Sequence, residues 1–288
     1  MKPILIQTHF HHRKTGVTRS IENVLPFFDE KFQTFVYGNT IDGPKISTVQ
    51  FLKLLFSSQR ITVHCHRNNE IVRMLLFRFF GAKFKLIASR HSATKPSKFT
   101  FWLLKKADKV VTLIKSMSDS LGIKNTLIAH GVNVQNFAPN SGTKLPQITQ
   151  ENIILNTGRI RKAKGQLTLL NAAKVLKNHQ NWCLVFVGKV DKPAFLMELK
   201  TIAKELEIEK QMYFFEETRE IIPFYQASKI FVAPSFSEGF SLVTAEAMAC
   251  ECTVIATKNV GVHDDLIADK KNGYLFEAGN SEELSIIL

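Results

Sequence analysis

Residues 234–257 read PSFSEGFSLVTAEAMACECTVIAT, a stretch in which three successive elements can be recognised. Its first six residues are rich in turn formers, and from Ser241 onward apolar positions recur with helical spacing. Residues 253–256, TVIA, are a short apolar run that is typical of a buried strand. A loop, a helix and a buried strand in this order predict an α/β domain with a parallel sheet.

Two glutamates flank the start of the predicted helix. Glu238 lies in the loop before it, and Glu246 lies about one and a half turns into it. The unpaired N–H groups and the dipole at a helix start favour an anion. Two carboxylates around such a site suit a sugar nucleotide, with the diphosphate at the helix end and the carboxylates on hydroxyls of the sugar and ribose. The amides between them belong to Gly239, Phe240, Ser241 and Leu242.

This stretch resembles the signature of retaining glycosyltransferase family 4, E-G-F/Y-[GS]-[LM]-x-x-x-E-A-M-A-x-G-x-P-V-I-A-T. The chain has EGFSL at 238–242, EAMA at 246–249 and VIAT at 254–257, and departs at 251–253, where ECT replaces Gly-x-Pro. The resemblance implies a retaining hexosyltransferase without an obligatory metal or other cofactor. It also implies that Glu238 binds the transferred sugar near the reacting carbon and that Glu246 binds the ribose.

A second motif strengthens the resemblance. Residues 158–165, GRIRKAKG, are similar to the family's G-R-x-x-x-x-K-G, which implies that Arg159 and Lys164 bind the diphosphate. Arginine offers a fork of donors to phosphate oxygens, and lysine offers a mobile point charge. Both cations are expected to stabilise the charge that develops on the departing diphosphate.

The N-terminal residues predict the opening of a doubly wound domain, with a strand at Ile4–Ile6, a loop and a helix. The family carries Gly-Gly in this loop, and only Gly16 matches. With the basic Arg13 and Arg19, it forms the candidate acceptor-binding loop. His91 stands where the family often has a histidine near the donor sugar, which makes it a second catalytic candidate beside Glu238. An ordinary structural histidine is the alternative.

The resemblance implies the α/β GT-B fold, in which two Rossmann-like doubly wound domains face a central cleft. The predicted parts are an acceptor-side domain at 1–140, a linker at 141–151 and a donor-binding domain at 152–288. Family members continue with further helices, so the closing C-terminal helices are expected to be missing. Two alternatives stay open: a truncated, inactive nucleotide-binding remnant, and a nucleotide-sugar 2-epimerase of the same fold.

The net charge of +13 is unevenly distributed. Residues 1–150 carry 22 Lys and Arg against 7 Asp and Glu, whereas residues 151–288 carry 16 against 18. This asymmetry predicts an anionic partner for the first half. Nucleic acid is not expected, because no nucleic-acid motif is recognisable. Residues 99–106, FTFWLLKK, combine aromatic and basic side chains, so they fit either a membrane interface or the core.

The run HHRKTGVTRS at 11–20 resembles lipopolysaccharide-core transferases, particularly mannosyl ones. It predicts an anionic glycolipid or lipopolysaccharide-core acceptor and a donor that is GDP-mannose or a UDP-hexose. MKPILIQTHF is predicted as a first strand and not a signal peptide, and the four cysteines have no zinc spacing. A cytoplasmic protein is therefore expected, with peripheral contact to the inner membrane as a further hypothesis, and no metal site.

Overall fold

The computed structural model describes residues 2–288, which form two compact units that divide between Gly131 and Val132. Each unit is built on one six-stranded sheet in which all paired strands are parallel. The predicted α/β class with two doubly wound domains is confirmed. Among the described residues, no helix is both long and apolar enough to cross a bilayer.

The first unit has the strand order β2-β1-β3-β4-β5-β6. The order reverses between β1 and β3, and ligands of open α/β sheets bind at the carboxyl ends of strands at such a point. Its elements are β1 (Ile4–His9), α1 (Gly16–Asp29), β2 (Gln33–Gly38), α2 (Thr48–Leu55), β3 (Ile61–Cys65), α3 (Asn68–Phe79), β4 (Lys85–Arg90), α4 (Lys98–Lys105), β5 (Lys109–Thr112), α5 (Lys115–Ser120) and β6 (Thr126–Leu127).

The second unit has the strand order β12-β11-β10-β7-β8-β9, so its reversal lies between β7 and β10. Short 3-10 segments occupy 162–164, 173–178 and 209–211. The other elements are β7 (Asn152–Thr157), α6 (Gln166–Ala172), β8 (Trp182–Val187), α7 (Pro193–Glu205), β9 (Met212–Phe215), α8 (Ile222–Ala227), β10 (Ile230–Ala233), α9 (Leu242–Ala249), β11 (Thr253–Thr257), α10 (His263–Leu266), β12 (Tyr274–Phe276) and α11 (Ser281–Ile287).

Both faces of the second sheet are buried, which explains why its strands are apolar runs without polar alternation. Ile154 and Val232 belong to the core that contains side chains of α6, α7 and α11. Their chain neighbours Leu155 and Phe231 belong to the opposite core, which contains side chains of α8 and α9. The loops after β7 and β10 therefore follow strands that are packed on both faces of the sheet.

Two local features differ from the pattern-based expectation. Helix α2 was not predicted, although Ser47 and Gln50 form a capping box and Phe51 and Leu55 are buried one turn apart. Helix α6, which the sequence pattern predicts to run from Gly165 to Lys177, is α-helical only to Ala172 and continues as the 3-10 segment at 173–178.

The segment expected to be a linker, 141–151, packs on the second unit. Leu145 and Ile148 contact the core that contains Leu155 and Phe231. Ahead of them, Phe137 is only 8% exposed and packs edge-on against Tyr225, with 6.1 Å between ring centroids. Apolar residues spaced among the polar ones fix the segment, and the two units therefore divide at 131/132 and not at 141–151.

Gly165 is expected to tolerate no side chain. Its φ is +69°, and a Cβ atom there would lie 1.9 Å from the backbone oxygen of Pro234. Replacement by alanine combines backbone strain of about 1–3 kcal/mol with a steric overlap that must separate two loops. Denaturant unfolding should show Gly165→Ala destabilised by more than about 2 kcal/mol. Gly16→Ala is the control, because its Cβ would meet nothing within 4 Å. Equal stability of the two variants would contradict this packing.

Candidate functional site

Two loops meet at the reversal point of the second sheet. Residues 158–165 follow β7, and residues 234–241 follow β10. The amide of Phe236 donates to the backbone oxygen of Ala163 at 3.1 Å, beside the close approach of Gly165 to Pro234. Gln166, buried at the start of α6, donates from Nε2 to the Arg159 oxygen at 3.0 Å and holds the first loop. The fold therefore brings the two predicted motifs together, although they are far apart in sequence.

Lys164 and Glu238 form an ion pair between these loops. Lys164 Nζ lies 2.5 Å from Glu238 Oε1, and the two side chains are only 17% and 13% exposed. Ser235 Oγ donates to the same oxygen at 2.6 Å. Both contacts fall on Oε1, so Oε2 of Glu238 can accept a hydrogen bond from a hydroxyl group. Lys164 has three donors and can bind an anion while it stays beside Glu238.

The N-terminus of α9 opens beside this pair. Ser241 precedes the helix in a left-handed conformation, with φ +83°. Its hydroxyl lies 2.8 Å from Thr244 Oγ1 and does not cap the first turn, whose Thr244 amide donates to the Ser241 oxygen at 3.2 Å. An anion at this helix end is therefore expected at the amides ahead of Thr244. The loop after β11 supports this turn, since the Val262 amide donates to the Phe240 oxygen at 2.9 Å. A Cβ at Gly261 would lie 2.6 Å from that oxygen.

Glu246 lies on the buried flank of α9. It is 2% exposed, and its Oε2 accepts a hydrogen bond from the Tyr225 hydroxyl at 2.9 Å. That hydroxyl also lies 3.0 Å from Thr157 Oγ1 at the end of β7. The carboxylate is therefore held in one orientation at the reversal point of the second sheet.

The remaining predicted cation, Arg159, pairs with a different carboxylate. Arg159 is half exposed, and its Nη1 lies 3.5 Å from Asp191 Oδ2. Sequence patterns missed Tyr225, because a contact between separate elements leaves no local signal, and they also missed Ser235, although it lies only three residues before Glu238. They also missed His263, whose Nδ1 lies 2.8 Å from the Thr257 oxygen and whose buried Nε2 has no partner among residues 2–288. Burial lowers the pKa of His263.

The carboxyl ends of β3 and β4 in the first unit carry a cluster of histidines. His66 Nδ1 lies 3.0 Å from His91 Nε2, and the ring of His91 stacks on His130 with 5.4 Å between centroids. His130 Nδ1 lies 2.9 Å from Ser20 Oγ of α1, and His64 Nε2 lies 2.7 Å from Ser89 Oγ. Among residues 2–288, no group of three or more His, Cys, Asp or Glu side chains is arranged to hold a metal ion.

Gln7 sets the direction of the hydrogen bonds through this cluster. Its Oε1 lies 2.9 Å from His66 Nε2, which must then carry a proton. His66 Nδ1 therefore accepts, His91 donates from Nε2, and His91 Nδ1 is left as an acceptor. The buried Nε2 of Gln7 has no partner within 2–288, so rotation of this amide would reverse each donor in the series. Gln7 and His66 are positioning residues for His91.

The predicted acceptor loop is held by α3 and α1. Thr15 caps α1, and Arg67 Nη2 donates to its hydroxyl at 3.2 Å. Gly16 is the first residue of α1 and faces open space, and Arg13 is exposed. Arg19, half-buried, lies one turn further along the same helix.

Lys14, next to Arg13 in this loop, is paired with two acidic side chains. Its Nζ binds Glu22 at 2.8 Å and also contacts Asp42. Two acidic partners offset its charge, which leaves the positive charge of the loop to the two arginines, Arg13 and Arg19.

Acid is expected to destabilise the first unit. Burial lowers the pKa of His64 and of His130 to about 4 and of His91 to about 3, below the ordinary 6.5. As pH falls below 6.5, the unfolded chain binds protons before the native cluster does. The free energy of unfolding therefore decreases down to about pH 4. Each histidine contributes up to about 1.4 kcal/mol per pH unit to this decrease. Glu70, whose pKa burial raises, opposes this loss weakly.

Unfolding followed by Trp102 fluorescence in a Trp182→Phe background reports on the first unit, since the chain has two tryptophans. His130→Asn should make the loss of stability between pH 6.5 and pH 4 shallower, because one depressed pKa is removed. An unchanged slope in this variant would contradict the assignment.

A family model provides the decisive comparison. The model of "Glycosyl transferases group 1" matches residues 140–286, which is about half of the chain. This chain belongs to the glycosyl transferases group 1 family. The resemblance seen in residues 238–257 is therefore confirmed as a family membership, and the protein is a glycosyltransferase; whether it retains anomeric configuration stays a prediction.

Two curated relatives of this glycosyltransferase match over nearly its whole length. The lipopolysaccharide core biosynthesis mannosyltransferase LpcC of Rhizobium leguminosarum bv. viciae is 28% identical, and the match covers 98% of this chain and 84% of the relative. The lipopolysaccharide core biosynthesis mannosyltransferase LpsB of Rhizobium meliloti is 25% identical, with 99% and 82% covered.

Solved structures agree on the fold of this glycosyltransferase. Anabaena Alr3699/HepE, solved in complex with UDP and glucose, superposes with a TM-score of 0.82 at 17% identity and covers 99% of this chain and 88% of its own. The C-terminal domain of the Francisella tularensis group 1 glycosyl transferase LpcC is 36% identical, with a TM-score of 0.51, and covers 55% of this chain and 85% of its own. The GT-B prediction is thereby confirmed.

Proposed function

We propose that this glycosyltransferase moves mannose from GDP-mannose to an anionic lipopolysaccharide-core acceptor with retention of configuration. The observation that carries the proposal is the Lys164–Glu238 pair beside the uncapped start of α9, at the reversal point of the second sheet. A cation, a helix N-terminus and a carboxylate at one place match the diphosphate and the sugar of such a donor.

In the proposed reaction, the bond between the sugar C1 and the diphosphate oxygen breaks, and a bond from C1 to an acceptor hydroxyl oxygen forms on the same face. The proton of that hydroxyl goes to the departing phosphate. Lys164, Arg159 and the amides of residues 239–242 bind the diphosphate as its charge grows. Glu238 orients the sugar hydroxyls, and Glu246 binds the ribose.

The acceptor is assigned to the first unit. Support comes from the charge of residues 1–150, which carry 22 basic against 7 acidic residues, and from Arg13 in the loop after β1 with Gly16 and Arg19 at the start of α1. An acceptor that bears phosphates or carboxylates suits such a surface. His91 is proposed to touch substrate through its Nδ1. The printed function of the two Rhizobium relatives supports the sugar and the acceptor class.

Product analysis tests the proposal. The full chain is incubated with a core-type acceptor and either GDP-mannose or UDP-glucose, and the released nucleotide and the anomeric proton of the product are measured. GDP release with an α-linked mannoside is expected. Transfer from UDP-glucose alone would overturn the mannose assignment and leave the transferase assignment intact, whereas a β-linked mannoside would overturn retention.

A further inference from the structure

Two neighbouring helices of the first unit expose apolar side chains. On α3, Val72, Leu76 and Phe79 follow each other at helical spacing and are 41%, 54% and 83% exposed. On α4, Phe99 and Trp102 stack with 6.2 Å between centroids and are about half exposed. The helices are adjacent, since Asn68 Nδ2 donates to Thr100 Oγ1 at 2.8 Å and Arg78 Nη1 donates to the Lys106 oxygen at 3.4 Å.

These side chains are not needed by the core of the unit. The opposite sides of the same helices supply buried residues, among them Met74 of α3 and Leu103 of α4, which are 0% exposed. Phe80, just after α3, is 64% exposed as well. A group of large apolar side chains that are exposed and not needed by the core is typical of a binding surface.

The charge around this apolar area is almost entirely positive. Residues 43–107 contain 13 Lys and Arg and a single acidic residue, Glu70. Glu70 is fully buried, where it accepts hydrogen bonds from the amides of His66 and Phe10 and from Thr8 Oγ1. Asp108, just beyond this segment, is a partly exposed carboxylate, and Arg78 of α3 pairs with it and offsets its charge.

The basic side chains lie among the aromatic ones. Lys105 Nζ lies 4.7 Å from the ring centroid of Phe101, and Lys106 Nζ lies 6.0 Å from that of Trp102. Lysine stems can cover apolar surface while the ammonium groups reach outward. We call the area formed by Val72, Leu76, Phe79, Phe80, Phe99, Trp102, Lys105 and Lys106 the aromatic-basic face.

We propose that the aromatic-basic face docks on an anionic lipid bilayer, with Phe79, Phe80 and Trp102 at the level of the headgroups and the lysines on lipid phosphates. Charge complementarity selects this partner, because a second copy of the face would bring like charges together. The inference goes beyond the donor chemistry and rests on residues of the first unit alone, so it can fail while the proposed function stands.

Vesicle flotation tests this proposal with the full chain. Vesicles of phosphatidylcholine alone are compared with vesicles that contain about 30% phosphatidylglycerol, at about 0.1 M and 0.5 M salt. Binding is expected only to the anionic vesicles, and it should weaken at high salt. The Phe79→Ser/Phe80→Ser variant should bind at least about ten-fold more weakly, with unchanged thermal unfolding because both side chains are exposed. Met197→Ser, 60% exposed on α7, is the matched control.

A spectroscopic measurement adds an independent result. In a Trp182→Phe background, Trp102 fluorescence should shift to shorter wavelength with anionic vesicles and not with neutral ones. Absence of binding to anionic vesicles would overturn the proposal, as would equal binding of the serine double variant. A concentration-dependent dimer that the double variant abolishes, without vesicle binding, would assign the face to a second copy instead.

Discussion

Lys164→Met is expected to lower kcat by about 100- to 1,000-fold, the loss that follows removal of one group that stabilises a developing anion. Lys164 lies at the reversal point of the second sheet, 2.5 Å from Glu238, with 17% of its side chain exposed. Its charge is most useful when the diphosphate departs, so the effect should fall on kcat more than on KM. Steady-state kinetics with the donor varied give both constants.

Lys162→Met is the matched control for this variant. Lys162 lies in the same loop, but 75% of its side chain is exposed and its partner is Glu198 at 3.4 Å. We expect its kcat to stay within about three-fold of the wild type, because an exposed lysine is screened by water. Equal losses in the two variants would show that the loop contributes general positive charge and that Lys164 has no specific role.

Glu246→Gln is expected to raise the KM for the donor by about 10- to 100-fold with little change in kcat, since a hydrogen bond to a charged group contributes about 1.5–3 kcal/mol. The ribose lies away from the bond that breaks, so its contacts stabilise the ground state and the transition state equally. The glutamine keeps the size of the side chain and an oxygen that can accept from Tyr225.

Tyr225→Phe separates orientation from binding at Glu246. The variant removes the hydroxyl that lies 2.9 Å from Glu246 and 3.0 Å from Thr157, while the carboxylate stays. A smaller increase in KM, about three- to ten-fold, is expected. A larger effect of Tyr225→Phe than of Glu246→Gln would contradict direct ribose binding by Glu246.

Local patterns were sufficient for the elements around the site. The helix after Ser241 and the strand at 253–257 lie where helical periodicity and the apolar run TVIA predict them. The Lys164–Glu238 ion pair could not be predicted in the same way. It depends on β7 and β10 being neighbours and on Gly165 letting two loops touch. Lys164 and Glu238 each belong to a recognisable motif, but the distance between them depends on which strands are neighbours in the sheet.

In the histidine cluster, too, local sequence patterns identify single residues, whereas the contacts between them depend on strand pairing. His91 was a candidate from the sequence, yet its contact with His66 follows from the pairing of β3 with β4. Gln7, inside β1, carried no sequence signal at all. Helix α2 is different, because its capping box at Ser47 and Gln50 is a local signal that could have been read. The buried segment around Phe137 was missed because its composition is that of a loop.

Titration calorimetry of the full chain with GDP and with UDP tests whether the second unit binds a nucleoside diphosphate at the Lys164–Glu238 pair. We expect one of the two nucleotides, GDP by the proposed function, to bind at a single site. Its affinity should fall at least about ten-fold in Lys164→Met and in Glu246→Gln and stay unchanged in Arg13→Gln of the first unit. Absence of binding by both nucleotides, or undiminished binding in both variants of the second unit, would contradict the account.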